Sequence, residues 1–147
     1  MQNVESVVIL LVEDDAAHAE IVRRNLEDFR VANKLVHVTD GQAALDYLYG
    51  EGEWSGADPK RPVVVLLDLR LPKVDGLEVL RRIKADENLK SIPVVVLTTS
   101  AAEADMAKAY EANVNSYLVK PLDLKQFVEL IGSLGYYWLA CNKKPVT

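Results

Sequence analysis

Residues 63–76 read VVVLLDLRLPKVDG. Five apolar residues, all Val or Leu, run directly into the acid Asp68, and Pro72 and Gly76 follow within eight positions. A continuous apolar run rich in β-branched residues is what a strand covered on both faces requires. Such a strand should not end on a bare carboxylate, because desolvating that charge without a partner is costly. The fold and the function both follow from asking what compensates Asp68.

Moving outward, two similar runs occur at residues 7–12 (VVILLV) and 94–97 (VVVL), and two weaker ones at 34–39 (KLVHVT) and 116–119 (SYLV). Helical spacing fills the intervals. Asp15 suits the cap of a helix whose inner face carries Ile21, Val22, Leu26 and Phe29. Leu45 and Leu48 mark a second helix, Leu77, Leu80 and Ile83 a third, Met106, Ala109 and Tyr110 a fourth. Phe127, Leu130, Ile131 and Leu134 give the fifth an i, i+3, i+4, i+7 stripe. Strand and helix thus alternate five times, and helical crossovers require parallel strands. The expected architecture is α/β: a doubly wound, five-stranded parallel sheet with helices on both faces. The long connection at 50–62 (GEGEWSGADPKRP) has the Gly, Pro and charge content of a surface loop.

At 147 residues the chain is the size of one domain. A net charge of −5 does not favour a nucleic-acid surface. No apolar run approaches the roughly 20 residues that span a bilayer, and MQNVESVV lacks the basic start of a secretory signal. The single cysteine, Cys141, excludes an internal disulfide and suits a reducing compartment. A cytoplasmic location is expected, with neither nucleic acid nor membrane as partner.

In an open α/β sheet, ligands bind beyond the carboxyl ends of the strands. Four of the five strands deliver polar groups to that edge: Glu13, Asp14 and Asp15 after the first, Asp68 after the third, Thr98 and Thr99 after the fourth, Lys120-Pro121 after the fifth. Singly, each has an ordinary explanation, such as a helix cap or a solvated lysine. Jointly they make a site. Two carboxylates about 4 Å apart repel by roughly 4 kcal/mol at an effective dielectric near 20, so the acids need cations. Lys120 is one. A hard, oxygen-ligated ion is the other, Mg²⁺ by preference with Mn²⁺ as the alternative. The absence of CxxC and HExxH motifs argues against zinc, and His18 and His37 are expected to pack or face solvent, apart from the acids.

The segments LLVEDD, LLDLRLPKVDG, PVVVLTTS and YLVKP, in this order and spacing, resemble the signature segments of the receiver domains of two-component response regulators. The resemblance spans residues 6–135 and implies strand order 2-1-3-4-5. It implies that Asp68 accepts a phosphoryl group from a sensor histidine kinase, with Asp14 on the metal directly, Glu13 through water, and the backbone carbonyl of Arg70 as a further ligand. Lys120, Thr98 and Thr99 would bind the phosphoryl oxygens, and Thr98 with Tyr117 would form the conformational switch. The Lys120–Pro121 peptide would be cis, and Gly76 would occupy the turn after the strand, where a positive φ suits glycine. Arg70, Thr99 and Ser100 would set the phosphoryl lifetime, Arg70 by folding over the group, making self-dephosphorylation slow. The protein would be no turnover enzyme, catalysing only its own phosphotransfer and that slow hydrolysis.

A haloacid-dehalogenase-type phosphohydrolase would need an acid two residues past its nucleophile, where this chain has Arg70. A flavin domain of like topology would need a phosphate-cradling loop where the acids stand. Two alternatives stay open beside the regulator: a phosphorelay intermediate, and a receiver-like binding module that is never phosphorylated. The chain stops soon after its last helix, as expected of a stand-alone receiver. Its long loop and aromatic tail LGYYWLACN resemble the regulators paired with phytochrome-type kinases. Residues 136–147 are accordingly expected to extend the domain, with Tyr136, Tyr137, Trp138 and Leu139 in a homodimer interface or else folded back over their own helices.

Overall fold

The computed structural model describes residues 7–27, 33–56 and 60–141. Its strands are β1 (Val7–Val12), β2 (Asn33–Val38), β3 (Val64–Leu67), β4 (Val94–Thr98) and β5 (Ser116–Val119). Its helices are α1 (Ala16–Glu27), α2 (Gly41–Tyr49), α3 (Gly76–Ala85), α4 (Glu103–Glu111) and α5 (Leu124–Gly135). A 3-10 turn at Gly52–Trp54 interrupts the long loop, and a π-helical turn, Tyr136–Cys141, continues α5. The sheet is parallel throughout with order β2-β1-β3-β4-β5. No helix among the described residues is long and apolar enough to cross a membrane.

The two-residue period of the strands divides the core into two layers. Val8, Leu10, Val12, Val65, Leu67, Val94 and Val96 pack with Ala44, Leu45, Val79, Leu80, Ile83 and Ala109 of α2, α3 and α4. The alternate residues Ile9, Leu11, Val64, Leu66, Val95 and Leu97 pack with Ala19, Val22, Leu26, Phe127, Ile131 and Leu134 of α1 and α5. Both faces of the inner strands are therefore dry, which is why their sequence is continuously apolar.

The helix caps are built from local sequence. Asp15 Oδ1 accepts from the backbone N–H of Ala17 (2.9 Å) and His18 (3.1 Å), and Asp40 Oδ1 accepts from Ala43 N–H at 2.7 Å. Asp123 caps α5 in the same way, accepting from Gln126.

Several expectations need correction. Gly76 does not have a positive φ. Its lack of a side chain is required by close approach: a Cβ there would lie 2.2 Å from the carbonyl oxygen of Asp68 and 2.6 Å from Leu69 Cα. The peptide before Pro121 is trans, as are all those described. The trans form is favoured by about 0.5–1 kcal/mol, and it already lets Lys120 N–H extend the ladder to Thr98 O at 2.6 Å. Tyr110, expected on the inner face of α4, is exposed; Ala109 alone of that helix is fully buried. Of the two expectations for the tail, Leu139 follows the folded-back one, buried against the α1–α5 layer rather than offered to a dimer interface, and Trp138 packs partly on the same layer. Tyr136 and Tyr137 remain 60% and 54% exposed. Phe29 and residues 142–147 lie outside the described residues.

Candidate functional site

Each central side chain of the site sits one residue beyond its strand, yet a ladder hydrogen bond still fixes its backbone. Glu13 N–H donates to Val38 O (3.0 Å), Asp68 N–H to Val12 O (3.1 Å) and Lys120 N–H to Thr98 O (2.6 Å). The β1–β3 register pairs Val12 with Leu67, so Glu13 and Asp68 stand level at the carboxyl edge. Strand phase then sorts the side chains. Glu13, Asp68 and Lys120 continue the phase of Leu11, Leu66 and Leu118, on the α1–α5 side. Thr98 continues the phase of Val94 and Val96, on the α4 side, where Tyr117 also packs.

The result is a buried ion cluster. Glu13, Lys120 and Asp68 are only 1%, 4% and 8% exposed. Lys120 Nζ donates to Glu13 Oε1, to Asp68 Oδ2 at 3.2 Å, and lies 3.0 Å from His18 Nδ1. Asp14 is exposed, and ligand oxygens from Glu13, Asp14 and Asp68 all fall within 4.8 Å of one another. Three carboxylates face one ammonium, so the cluster is short of positive charge. Burial accordingly pushes the Glu13 carboxyl up from 4.5 to about 7, against the opposing pull of Lys120. A proton on Glu13 and a divalent cation among the three acids are two answers to the same deficit. The donor set, all carboxylate oxygen, fits a hard ion.

The switch residues lie beside the cluster. Thr98 is fully buried and its Oγ1 accepts from Ser100 N–H at 3.3 Å. Tyr117 OH donates to Ser100 O at 2.9 Å. Ser100 Oγ donates to Asp105 Oδ2 at 2.6 Å, and Arg70 Nη2 donates to the same oxygen at 2.8 Å. Arg70 therefore reaches sideways to the first turn of α4 rather than over Asp68; only its backbone N–H approaches the acid, at 3.3 Å from Oδ1. Thr99 is exposed.

Sequence reasoning missed three residues. His18 was expected apart from the acids and is in contact with Lys120. It occupies the inner stripe of α1, four residues before Val22 and eight before Leu26, and that spacing was the available signal. His37 Nε2 bonds the carbonyl of Glu13 at 2.8 Å. Asp105 joins Arg70 to Ser100, a contact between residues 35 apart in sequence that no local pattern announces.

Comparison with known proteins agrees with this geometry. Residues 9–132 match the model of the response regulator receiver domain family. The chain is 47% identical over 138 residues to the probable methanogenesis regulatory protein FilR2 of Methanothrix harundinacea, covering 94% of this chain and 87% of that one. It is 44% identical over 138 residues to response regulator Rcp1 of Synechocystis, covering 94% and 92%. The structure of Mn²⁺-bound Rcp1 superposes with a TM-score of 0.91 at 42% identity, covering 95% of this chain and 99% of that one. That of a phosphorylated cyanobacterial phytochrome response regulator, RcpA, superposes with 0.91 at 41% identity, covering 96% and 99%.

Proposed function

The chain belongs to the response regulator receiver domain family of two-component signalling, and from that premise we propose that Asp68 accepts a phosphoryl group from the phosphohistidine of a sensor kinase. The observation that carries this is the Asp68 carboxylate held level with Glu13 at the sheet edge, with the Lys120 ammonium 3.2 Å from Oδ2. In the transfer, an Asp68 carboxylate oxygen attacks phosphorus in line. The P–O bond forms as the P–N bond breaks, and the bonding pair leaves with the kinase imidazole. The transition state is loose, so catalysis is positioning and charge stabilisation rather than proton transfer. Lys120 moves one donor from Asp68 to the incoming phosphoryl oxygens. Asp14, Asp68 and the Arg70 carbonyl, with Glu13 through water, would hold Mg²⁺, which supplies further positive charge toward those oxygens; Mn²⁺ is the alternative, as in the Rcp1 structure.

Thr98 is the hydroxyl that bonds the phosphoryl group, with Thr99 beside it, and Tyr117 reports the event. For Thr98 to turn toward the phosphoryl group it gives up its bond from Ser100 N–H, and Ser100 in turn anchors Tyr117. This is a two-state element that one local contact biases. The protein acts as a signalling acceptor and not as a turnover enzyme, and the setting is cytoplasmic. Likeness to Rcp1 and RcpA supports a phytochrome-type kinase as donor. The 47% identity to the probable methanogenesis regulatory protein FilR2 supports a second reading, in which the same chemistry serves a kinase with no photosensor.

Phosphotransfer from autophosphorylated kinases of both kinds tests the proposal. Radiolabel should pass to the wild-type protein and not to Asp68→Asn. Label on the Asn variant would remove Asp68 from the role.

A further inference from the structure

The ammonium of Lys120 carries three protons, and the structure gives each a partner: Glu13 Oε1, Asp68 Oδ2 at 3.2 Å and His18 Nδ1 at 3.0 Å. An ammonium has no acceptor to offer, so His18 Nδ1 must present its lone pair, which places the ring proton on Nε2. The residue is fixed from two helices: its backbone N–H donates to Asp15 Oδ1 at 3.1 Å, and the Phe127 ring packs against the imidazole at a centroid distance of 5.3 Å, while Asp15 Oδ2, 3.7 Å from Nδ1, lies beyond hydrogen-bond reach. α1 and α5 thus both fix the imidazole before it meets Lys120.

We propose that His18 is a positioning residue for phosphoryl transfer, a neutral acceptor that fixes the Lys120 ammonium so that the N–H donor it withdraws from Asp68 is aimed at the phosphoryl oxygens. This rests on the role given to Lys120 above. The choice of imidazole has a chemical reason. A carboxylate at this place would add a fourth negative charge where an anionic phosphoryl group must arrive. An apolar side chain would leave one ammonium proton buried without an acceptor, and Nζ would swing to find another. A neutral nitrogen holds the ammonium and adds no charge. Displacing a charge-stabilising group by a fraction of an ångström is enough to slow a positioned reaction severalfold or more.

The test compares the full-length wild type with His18→Phe, which keeps a ring against Phe127 but has no acceptor, and His18→Asn, whose amide oxygen can take the Nδ1 place. His18→Leu replaces the Phe variant should the larger ring prevent folding, as judged by circular dichroism. The rate of Asp68 labelling by phosphoramidate with Mg²⁺ should fall about tenfold in the Phe or Leu variant and stay within about twofold of wild type in the Asn variant. In the metal-free proteins, the slowly exchanging NMR signal of the Lys120 ammonium should persist with His or Asn and vanish with Phe or Leu. An acceptor-free variant that labels at the wild-type rate, or an Asn variant as slow as that one, overturns the inference alone. A wild-type protein that does not label at Asp68 overturns the phosphoacceptor reading and this one with it.

Discussion

Burial holds the Glu13 carboxyl near 7 although the Lys120 ammonium bonds it directly. A carboxyl whose folded value lies above its unfolded one contributes stability below the unfolded value and loses it as pH rises through the folded one. For Glu13 that window runs from 4.5 to about 7. Metal-free protein should therefore lose denaturation midpoint as pH rises from 4.5 to about 7 and level off above that. Glu13→Gln should flatten that slope, and Mg²⁺ should restore the midpoint at the alkaline end by supplying the missing charge. A midpoint that stays level or rises over the same interval without metal would show that folding does not raise the Glu13 carboxyl. At this scale the sequence was legible where chemistry was shared along one edge: Asp68, Glu13, Asp14 and Lys120 announced each other by their places after apolar runs. His18 did not, because a lone histidine in a helix carries no mark of its partner until strand phase brings Lys120 onto the same side of the sheet.

The loop between β3 and α3 shows how the elements keep the site rigid. Its backbone passes so close to two helix starts that both begin with glycine. A Cβ on Gly76 would meet the Asp68 carbonyl, and one on Gly41 would lie 1.9 Å from the Val74 carbonyl oxygen. Gly76→Ala should destabilise the fold by about 1–3 kcal/mol, since backbone and not a flexible side chain must yield. It should also slow labelling of Asp68, whose carbonyl is displaced; a urea midpoint equal to wild type would refute the close approach. On the other side, Arg70 and Ser100 share Asp105, which ties the β3–α3 loop to the start of α4. If Arg70 shields the phosphoryl group once it arrives, it must first leave Asp105. Arg70→Asn should then speed loss of phosphate, and Asp105→Asn, which frees the guanidinium, should slow it. Decay rates that shift together, or not at all, contradict the shielding role. Elements built on period and capping, such as β1, β3 and α5, were legible in the sequence. The exposed Tyr110 was not, because it depends on packing between elements distant in sequence; the cis expectation at Pro121 came from the resemblance alone, against the ordinary trans preference of an X-Pro bond.

For the whole molecule, the parallel sheet and its two core layers follow from the alternation of strand and helix, and the sheet order from the family resemblance, whereas the use of the surface follows from neither. The tail divides: Leu139 and part of Trp138 close the α1–α5 layer, while Tyr136 and Tyr137 face outward. Tyr110 and Val119 are exposed on α4 and β5. A two-fold dimer through α4, β5, α5 and the tail would cover such aromatics, which serve well as interface anchors. Deleting the tail would also strip the core of Leu139, so the cleaner test is Tyr136→Glu with Tyr137→Glu. Light scattering should give twice the chain mass for wild type and one chain mass for the double variant; a wild type that is monomeric at high micromolar concentration, with and without phosphoryl group, refutes the dimer. The central claim concerns Asp68 itself and is met most directly by trapping the acyl phosphate. Protein labelled by phosphoramidate and Mg²⁺, reduced with borohydride and mapped by peptide mass, should carry the reduction product at Asp68 and at no other acid, and should carry none when the divalent cation is chelated. Product at Asp14, Asp15 or Glu13 with Asp68 unmodified would contradict it.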